Sequence, residues 1–384
     1  MPYWRLSAYY FCYFAFIGAF SPYFSLYLTS LAFSAWDIGV LMSLMQVMRV
    51  IAPNVWGWLA DRLGVRTPIV RLGAVFSIAG FAVFFFTESF PGIFTGMVML
   101  AFFWGAALPL VEALTLDHLG AQATRYGSIR LWGSVGFIAA VLGLGFVLDR
   151  APLSAILWVS CVILCGILAC AWILPEKAPT PHAAEPPRLV EILRRKDVYA
   201  LLAACFAMSA AHGALYVFYS IYLVQKGYGT TAVGWLWTLG VVAEIGVFLS
   251  MPRLQRRFSL RTILLASFAC AVVRFLLIGW GIQWGGVAMI AQLLHGATFG
   301  AYHAAAVAAI NHWFTGRHQA RGQALYSSVS FGAGGMIGGV LSGYTWDAIG
   351  APLTYTFSSL FAAAGFILIM RGLPDSSSGS PVSR

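Results

Sequence analysis

Twelve apolar stretches account for most of this chain, and each is long enough to cross a bilayer as a helix. A span needs about 20 mostly apolar residues. Such stretches run over 5–28, 37–60, 68–88, 91–117, 126–148, 152–174, 198–224, 231–252, 262–282, 285–312, 322–346 and 351–372. Hydrocarbon offers the backbone no hydrogen-bonding partner, so each stretch must satisfy its own N–H and C=O groups as a helix. Only 9% of the 384 residues are charged and 60% are hydrophobic, against about 25% charged in a soluble domain. The expected fold is an all-α membrane protein with twelve transmembrane helices.

The net charge of +10 does not point to nucleic acid. The basic residues sit in short loops between spans, with no basic run to track a phosphate backbone. Eighteen of the 23 Lys and Arg residues fall on the side that holds both termini. Arg150 and Lys226 fall on the other side, and Arg49, Arg130 and Arg274 lie within spans. The positive-inside rule therefore makes both termini cytoplasmic. No cleavable signal peptide is expected, because the first apolar segment runs directly into a full-length span. The six cysteines all fall inside spans and read as free, buried thiols. The histidines are scattered, with no close Cys or carboxylate cluster, so no metal and no cofactor is expected.

A polar stretch, 175–197, separates the first six spans from the last six. It divides the chain into halves, 1–174 and 198–372, followed by a Ser/Gly/Pro-rich tail, 373–384, expected to be disordered. The halves repeat weakly. Asp37-Ile38-Gly39 and Ala232-Val233-Gly234 open spans 2 and 8, and Arg125-Tyr126-Gly127 and Ala320-Arg321-Gly322 open spans 5 and 11. Both pairs are offset by 195 residues. Gly145-Phe146 with Asp149, and Gly343-Tyr344 with Asp347, close spans 5 and 11 at an offset of 198. The first offset maps Glu244 onto Arg49, which puts opposite charges at equivalent depths in the two halves. Glycines crowd spans 5 and 11 (Gly133, Gly136, Gly143, Gly145; Gly332, Gly334, Gly335, Gly338, Gly339, Gly343), as suits helices that approach closely or slide.

Ionisable residues deep in spans are costly, by roughly 3 to 10 kcal/mol, and normally line a polar pathway, pair, or carry protons. Two constellations stand out. Glu112 on span 4 and Arg130 on span 5 lie near the same membrane face, so they can form an ion pair or exchange it for a substrate group. The alternative is that both snorkel to the interface. Glu244 on span 8, Arg274 on span 9 and His295 on span 10 lie near mid-depth, which makes them a proton-relay candidate. A structural ion pair is the plainer reading. His212 and His303 are also deep, and His303 shares a helix face with His295. For both, packing and cavity roles remain open.

The loop between spans 2 and 3, Gly57-Trp58-Leu59-Ala60-Asp61-Arg62-Leu63-Gly64-Val65-Arg66, resembles the signature of the major facilitator superfamily. The resemblance implies two six-helix halves and a latch in which Gly57, Asp61, Arg62, Gly64 and Arg66 stabilise one access state. Further stretches are similar to the 3-phenylpropionic acid permease family, relatives of the oligosaccharide and nucleoside proton symporters. They are Tyr126 to Gly136, Ala211-His212-Gly213, Gly234 to Glu244, Val273-Arg274, and Leu294-His295-Gly296 through His303. The resemblance covers nearly the whole chain. It implies proton-coupled uptake across a bacterial inner membrane. It also implies that Glu112 and Arg130 match a substrate pair, and that Arg274 and His295 match coupling residues. Thr298 stands where relatives hold an acid, which leaves Glu244 as the remaining carboxylate for the proton. Gly143-Leu144-Gly145 lacks the proline of drug antiporters, which weighs against efflux.

The expected protein is a monomeric proton symporter. Its substrate site holds Glu112, Arg130, Arg49, His212 and His303, and its proton-coupling site holds Glu244, Arg274 and His295. Its partners are the lipid bilayer, protons and a small organic substrate, for which an aromatic carboxylate such as a phenylpropionate is the candidate. Sugar or nucleoside symport, efflux by antiport and a non-transporting membrane sensor are the alternatives. No enzyme motif is present.

Overall fold

In the computed structural model, which describes residues 2–177, 195–314 and 319–374, helix boundaries follow local chemistry. Ser34 accepts from the Asp37 backbone N–H while Asp37 reaches back, a capping box that starts the second helix. Ser89 and Ser259 cap two other starts by accepting from the backbone N–H three residues on, without the return bond. Gly64, at φ +66°, ends the second helix in the left-handed conformation that glycine adopts without steric cost.

Twelve helices among the described residues are long and apolar enough to cross a membrane. They are α1 (Tyr3–Ser30), α2 (Ala35–Leu63), α3 (Thr67–Phe85), α4 (Phe90–Leu119), α5 (Tyr126–Leu148), α6 (Ala155–Ile173), α7 (Lys196–Gln225), α8 (Thr230–Arg257), α9 (Leu260–Gly281), α10 (Gly285–Trp313), α11 (Arg321–Ile349) and α12 (Ala351–Gly372). Every expected span is present. α8 runs past its expected end at Pro252, since a proline costs the helix one hydrogen bond without stopping it here. Arg256 and Arg257 occupy its last turn, where the partial negative charge of a helix end favours cations. The expected linker lies for the most part (178–194), and the expected tail for the most part (375–384), outside the described residues.

By internal packing the chain forms two units, Met1–Ala183 with Tyr216–Trp235, and Ala184–Leu215 with Leu236–Arg384. This division differs from a break at the linker alone, because residues 216–235, the end of α7 and the start of α8, go with the first unit. In the first unit α1 packs on α5 and α6, and α3 on α6. In the second, α7 packs on α11 and α12, and α9 on α12. The pairings correspond at a shift of six helices, as the sequence repeat requires. Glycine makes the tightest of them. A Cβ at Gly136 of α5 would lie 2.1 Å from the Phe11 carbonyl oxygen of α1, and one at Gly338 of α11 would lie 2.3 Å from that of Ala210 on α7.

Four spans are irregular. α4 breaks after Trp104 and resumes at Ala107. α7 breaks at His212. α10 and α11 contain π-helical segments, Gly296–Ala301 and Ser328–Gly334. Such segments free backbone geometry within a helix and concentrate at functional sites.

Candidate functional site

The second unit holds a buried polar cluster around Arg274, whose side chain has no solvent exposure. Its N–H donors reach several groups. Among them are the Ala291 carbonyl (2.8 Å), Thr298 Oγ1 (3.0 Å), His212 Nε2 (3.3 Å) and Gln292 Oε1 (3.5 Å). His212 Nδ1 lies 2.8 Å from the Met208 carbonyl. A carbonyl only accepts, so Nδ1 carries the ring proton and Nε2 presents a lone pair to Arg274. The helix break at His212 leaves the imidazole at the point where α7 restarts. His212, expected at the substrate, is thereby drawn into the Arg274 cluster.

His295 Nε2 lies 3.8 Å from Glu244 Oε2, and the His295 and His212 rings are 6.2 Å apart. The expected trio is thus brought together, with His295 close both to the carboxylate and to the Arg274 cluster. His295 Nδ1 and Gln292 Nε2 are buried and have no hydrogen-bond partner among the described residues. The close approach of α8 to α10 depends on glycine, because a Cβ at Gly296 would lie 2.8 Å from the Ala243 carbonyl oxygen. Beyond His295 the π segment aligns an aromatic ladder. His295 stacks on Phe299 at 5.4 Å and Phe299 on His303 at 5.8 Å. His303 Nδ1 is 2.8 Å from the Tyr326 hydroxyl. His295 and His303 share a face, as their spacing predicts.

The first unit holds the second constellation. Glu112 and Arg130 form no ion pair. Glu112 instead accepts from the Tyr126 hydroxyl at 3.2 Å, and the Arg130 guanidinium lies 3.8 Å over the Phe14 ring, a cation–π contact. Tyr10 stands edge-on to Tyr126. Tyr13 is stacked flat on Trp104 with ring centres 4.4 Å apart, and Arg49, Glu112 and Arg130 are its charged neighbours. Arg49 itself is exposed on α2. The Trp104 indole N–H is buried without a partner among the described residues. The result is an aromatic wall carrying two guanidinium groups, one carboxylate and one unused donor.

At the other motif, Asp61 and Arg62 are exposed at the end of α2, with Arg62 over the Trp58 ring at 5.4 Å. Gly57 meets nothing where a Cβ would stand, and Gly64 makes the turn. Arg66 is ion-paired with Asp117, and Glu176 accepts from the backbone N–H groups of Arg66 (3.1 Å) and Thr67 (2.7 Å) at the start of α3.

The profile of the MFS_1 like family matches residues 3–357. The chain belongs to this family. It is 31% identical over 371 residues to the probable 3-phenylpropionic acid transporter of Escherichia coli (strain K12), across 93% of this chain and 95% of that one. It is 27% identical to the maltose permease of Geobacillus stearothermophilus, across 94% and 92% of the two chains. A crystal structure of a mutant form of the nucleoside transporter NupG superposes with a TM-score of 0.84 at 16% identity, covering 96% of this chain and 98% of that one. The likeness in structure is one of fold. This protein is a multi-pass transporter of the major facilitator superfamily.

Several residues of this MFS_1-like transporter escape a sequence reading because they are uncharged or lie in loops. Gln292, Tyr126 and Trp104 are polar or aromatic groups in apolar spans, where only unmatched hydrogen-bonding capacity marks them. Asp149 is visible in the repeat, yet its partners, Thr230 and Thr231, are more than 80 residues away. The cysteines are all free. Cys170 and Cys12 face each other at 3.9 Å between sulfurs, and Cys165 is exposed on α6 rather than buried.

Proposed function

We propose that this transporter is a proton symporter that brings a small organic acid, an aromatic carboxylate of the phenylpropionate type, across a bacterial inner membrane by alternating access. The observation that carries the coupling is the Glu244–His295 contact beside Arg274, in which the imidazole and the guanidinium are buried and the carboxylate is partly exposed. A carboxylate deep in a bilayer and next to an imidazole has a proton acceptor at hand. Arg274 hydrogen-bonds α10 at Ala291, Gln292 and Thr298, so a small movement of α8 or α10 changes how strongly it bears on that proton. Arg130, over Phe14 and near Tyr13 and Trp104, supplies a cation on an aromatic wall, a surface suited to a ring that carries a carboxylate. The name of the E. coli relative favours the same substrate class. Both termini are cytoplasmic in this reading, as the charge distribution favours, and the chain works as a monomer.

The test is uptake into proteoliposomes of a panel of aromatic acids, sugars and nucleosides with external pH recorded. Accumulation of an aromatic acid, driven by an inward proton gradient and accompanied by external alkalinisation, is the expected outcome. Transport without proton movement would overturn the coupling. Selective uptake of a hexose, disaccharide or nucleoside would replace the substrate. That second reading has its own support, since the Glu112–Tyr126 pair could bind hydroxyls and a maltose permease is among the relatives.

A further inference from the structure

The first unit contains a thiol pair that the transport mechanism does not use. Cys12 of α1 and Cys170 of α6 lie 3.9 Å apart between sulfurs, although 158 residues separate them in the chain. Cys170 is buried, whereas Cys12 is partly exposed. Gly166, one helical turn before Cys170, leaves room beside the Cys12 sulfur. A Cβ there would meet only that sulfur, at 3.5 Å, an ordinary contact distance. Tyr9, three residues before Cys12 and fully buried, has the two thiols as its titratable neighbours. Its hydroxyl makes no hydrogen bond among the described residues. A buried donor left without an acceptor costs free energy, and a part in redox chemistry is one reason such a group is kept.

We propose that Cys12 and Cys170 form an oxidative modification site: an organic hydroperoxide reacts at Cys12, Cys170 resolves the product, and a disulfide joins α1 to α6. The Cys12 sulfur attacks the peroxide. A sulfur–oxygen bond forms, the O–O bond breaks, and the alkoxide leaves with the thiol proton as an alcohol. The Cys170 sulfur then attacks the sulfenic acid on Cys12. The S–S bond forms, the S–O bond breaks, and hydroxide leaves with the second thiol proton as water. The two thiols lose two electrons in all, and the peroxide gains them. The roles follow exposure, since Cys12 is open to an oxidant and Cys170 is reached by its neighbour. An oxidant that dissolves in hydrocarbon suits thiols inside membrane spans. The Tyr9 O–H is a donor beside both sulfurs, available to the charge that develops on sulfur or on the leaving oxygen. To bond, the sulfurs close from 3.9 Å to about 2.05 Å, a distance within the swing of one cysteine rotamer. Cys161 and Cys165 are a second pair, one turn apart on α6, where closing a disulfide has to bend the helix that carries both. The inference does not depend on which solute is carried.

Treatment of the full chain in lipid nanodiscs with cumene hydroperoxide tests it, followed by unfolding, alkylation and mass mapping. Free thiols should fall from six to four, with Cys12 and Cys170 joined in one cross-linked peptide pair that a reductant releases. Cys170→Ala should stop the reaction at a sulfenic acid on Cys12, trapped by dimedone. Tyr9→Phe deletes only an oxygen that makes no hydrogen bond in the fold. It should slow disulfide formation about tenfold, the worth of one hydrogen bond to a charged group. A wild-type rate in that variant would overturn the part given to Tyr9. Six thiols still alkylated, a disulfide between Cys161 and Cys165, or a bridge between two molecules would overturn the site. The decisive measurement uses the unaltered chain, so it stands whether or not a variant folds.

Discussion

At the scale of single residues, Glu244 and Arg130 carry separable roles. Glu244→Gln keeps the shape of the side chain and removes the titration. Proton-driven accumulation should vanish while substrate exchange across the membrane persists. Full accumulation by this variant would remove Glu244 from the coupling. Arg130→Ala should weaken substrate binding by roughly 10- to 100-fold, the worth of one charge-assisted hydrogen bond to an anion. Arg130→Lys should recover part of that, and equilibrium binding of a labelled substrate measures both. Glu244, Arg274 and His295 were legible in the sequence because a charge in an apolar span announces itself. The part played by His212 was not, since it depends on a helix break that turns its Nε2 lone pair toward Arg274. Nor was the Glu112–Arg130 geometry. Complementary charge suggested a pair, but Tyr126 and Phe14 offer each partner a nearer contact.

Among elements, the glycines of α5 and α11 differ in how much they matter, although their sequences read alike. Gly338 has the Ala210 backbone where a Cβ would go, whereas Gly143 has open space. Gly338→Ala should destabilise the protein by about 1–3 kcal/mol, because backbone cannot yield as a side chain does. Gly143→Ala should be close to neutral or slightly stabilising. Thermal unfolding in detergent compares the two, and equal shifts would show that small residues act here by composition rather than by contact. The existence of the twelve helices was written in runs of apolar residues, and their ends in Ser and Gly caps. The breaks at Trp104 and His212 and the π segments were not, because a change in backbone register leaves no mark in hydrophobicity.

For the whole molecule, the loop after α2 and the Asp149 contact mark opposite ends of the first unit. Arg66 is committed to Asp117 within that unit, while Asp61 stands exposed beside it. Asp61→Asn should therefore slow the transport cycle, read as a lower maximal rate with unchanged substrate selectivity. An altered substrate range would contradict a purely conformational role. The duplicated plan was legible in short motifs, and the pairing of helices repeats it. That plan also holds a discrepancy: an offset of 195 residues fits where span 11 opens, and 198 fits where it closes. The π segment of α11, Ser328–Gly334, lies between those two points. A π turn is what remains when a helix swallows an inserted residue instead of looping it out, so part of the lost frame can be located inside the membrane. Removing Ala333 would return that wide turn to α-helical geometry and leave the residues after it on the faces they now occupy. Gly338 would still meet Ala210, and the two copies of the repeated plan would be nearer in length with their packing kept.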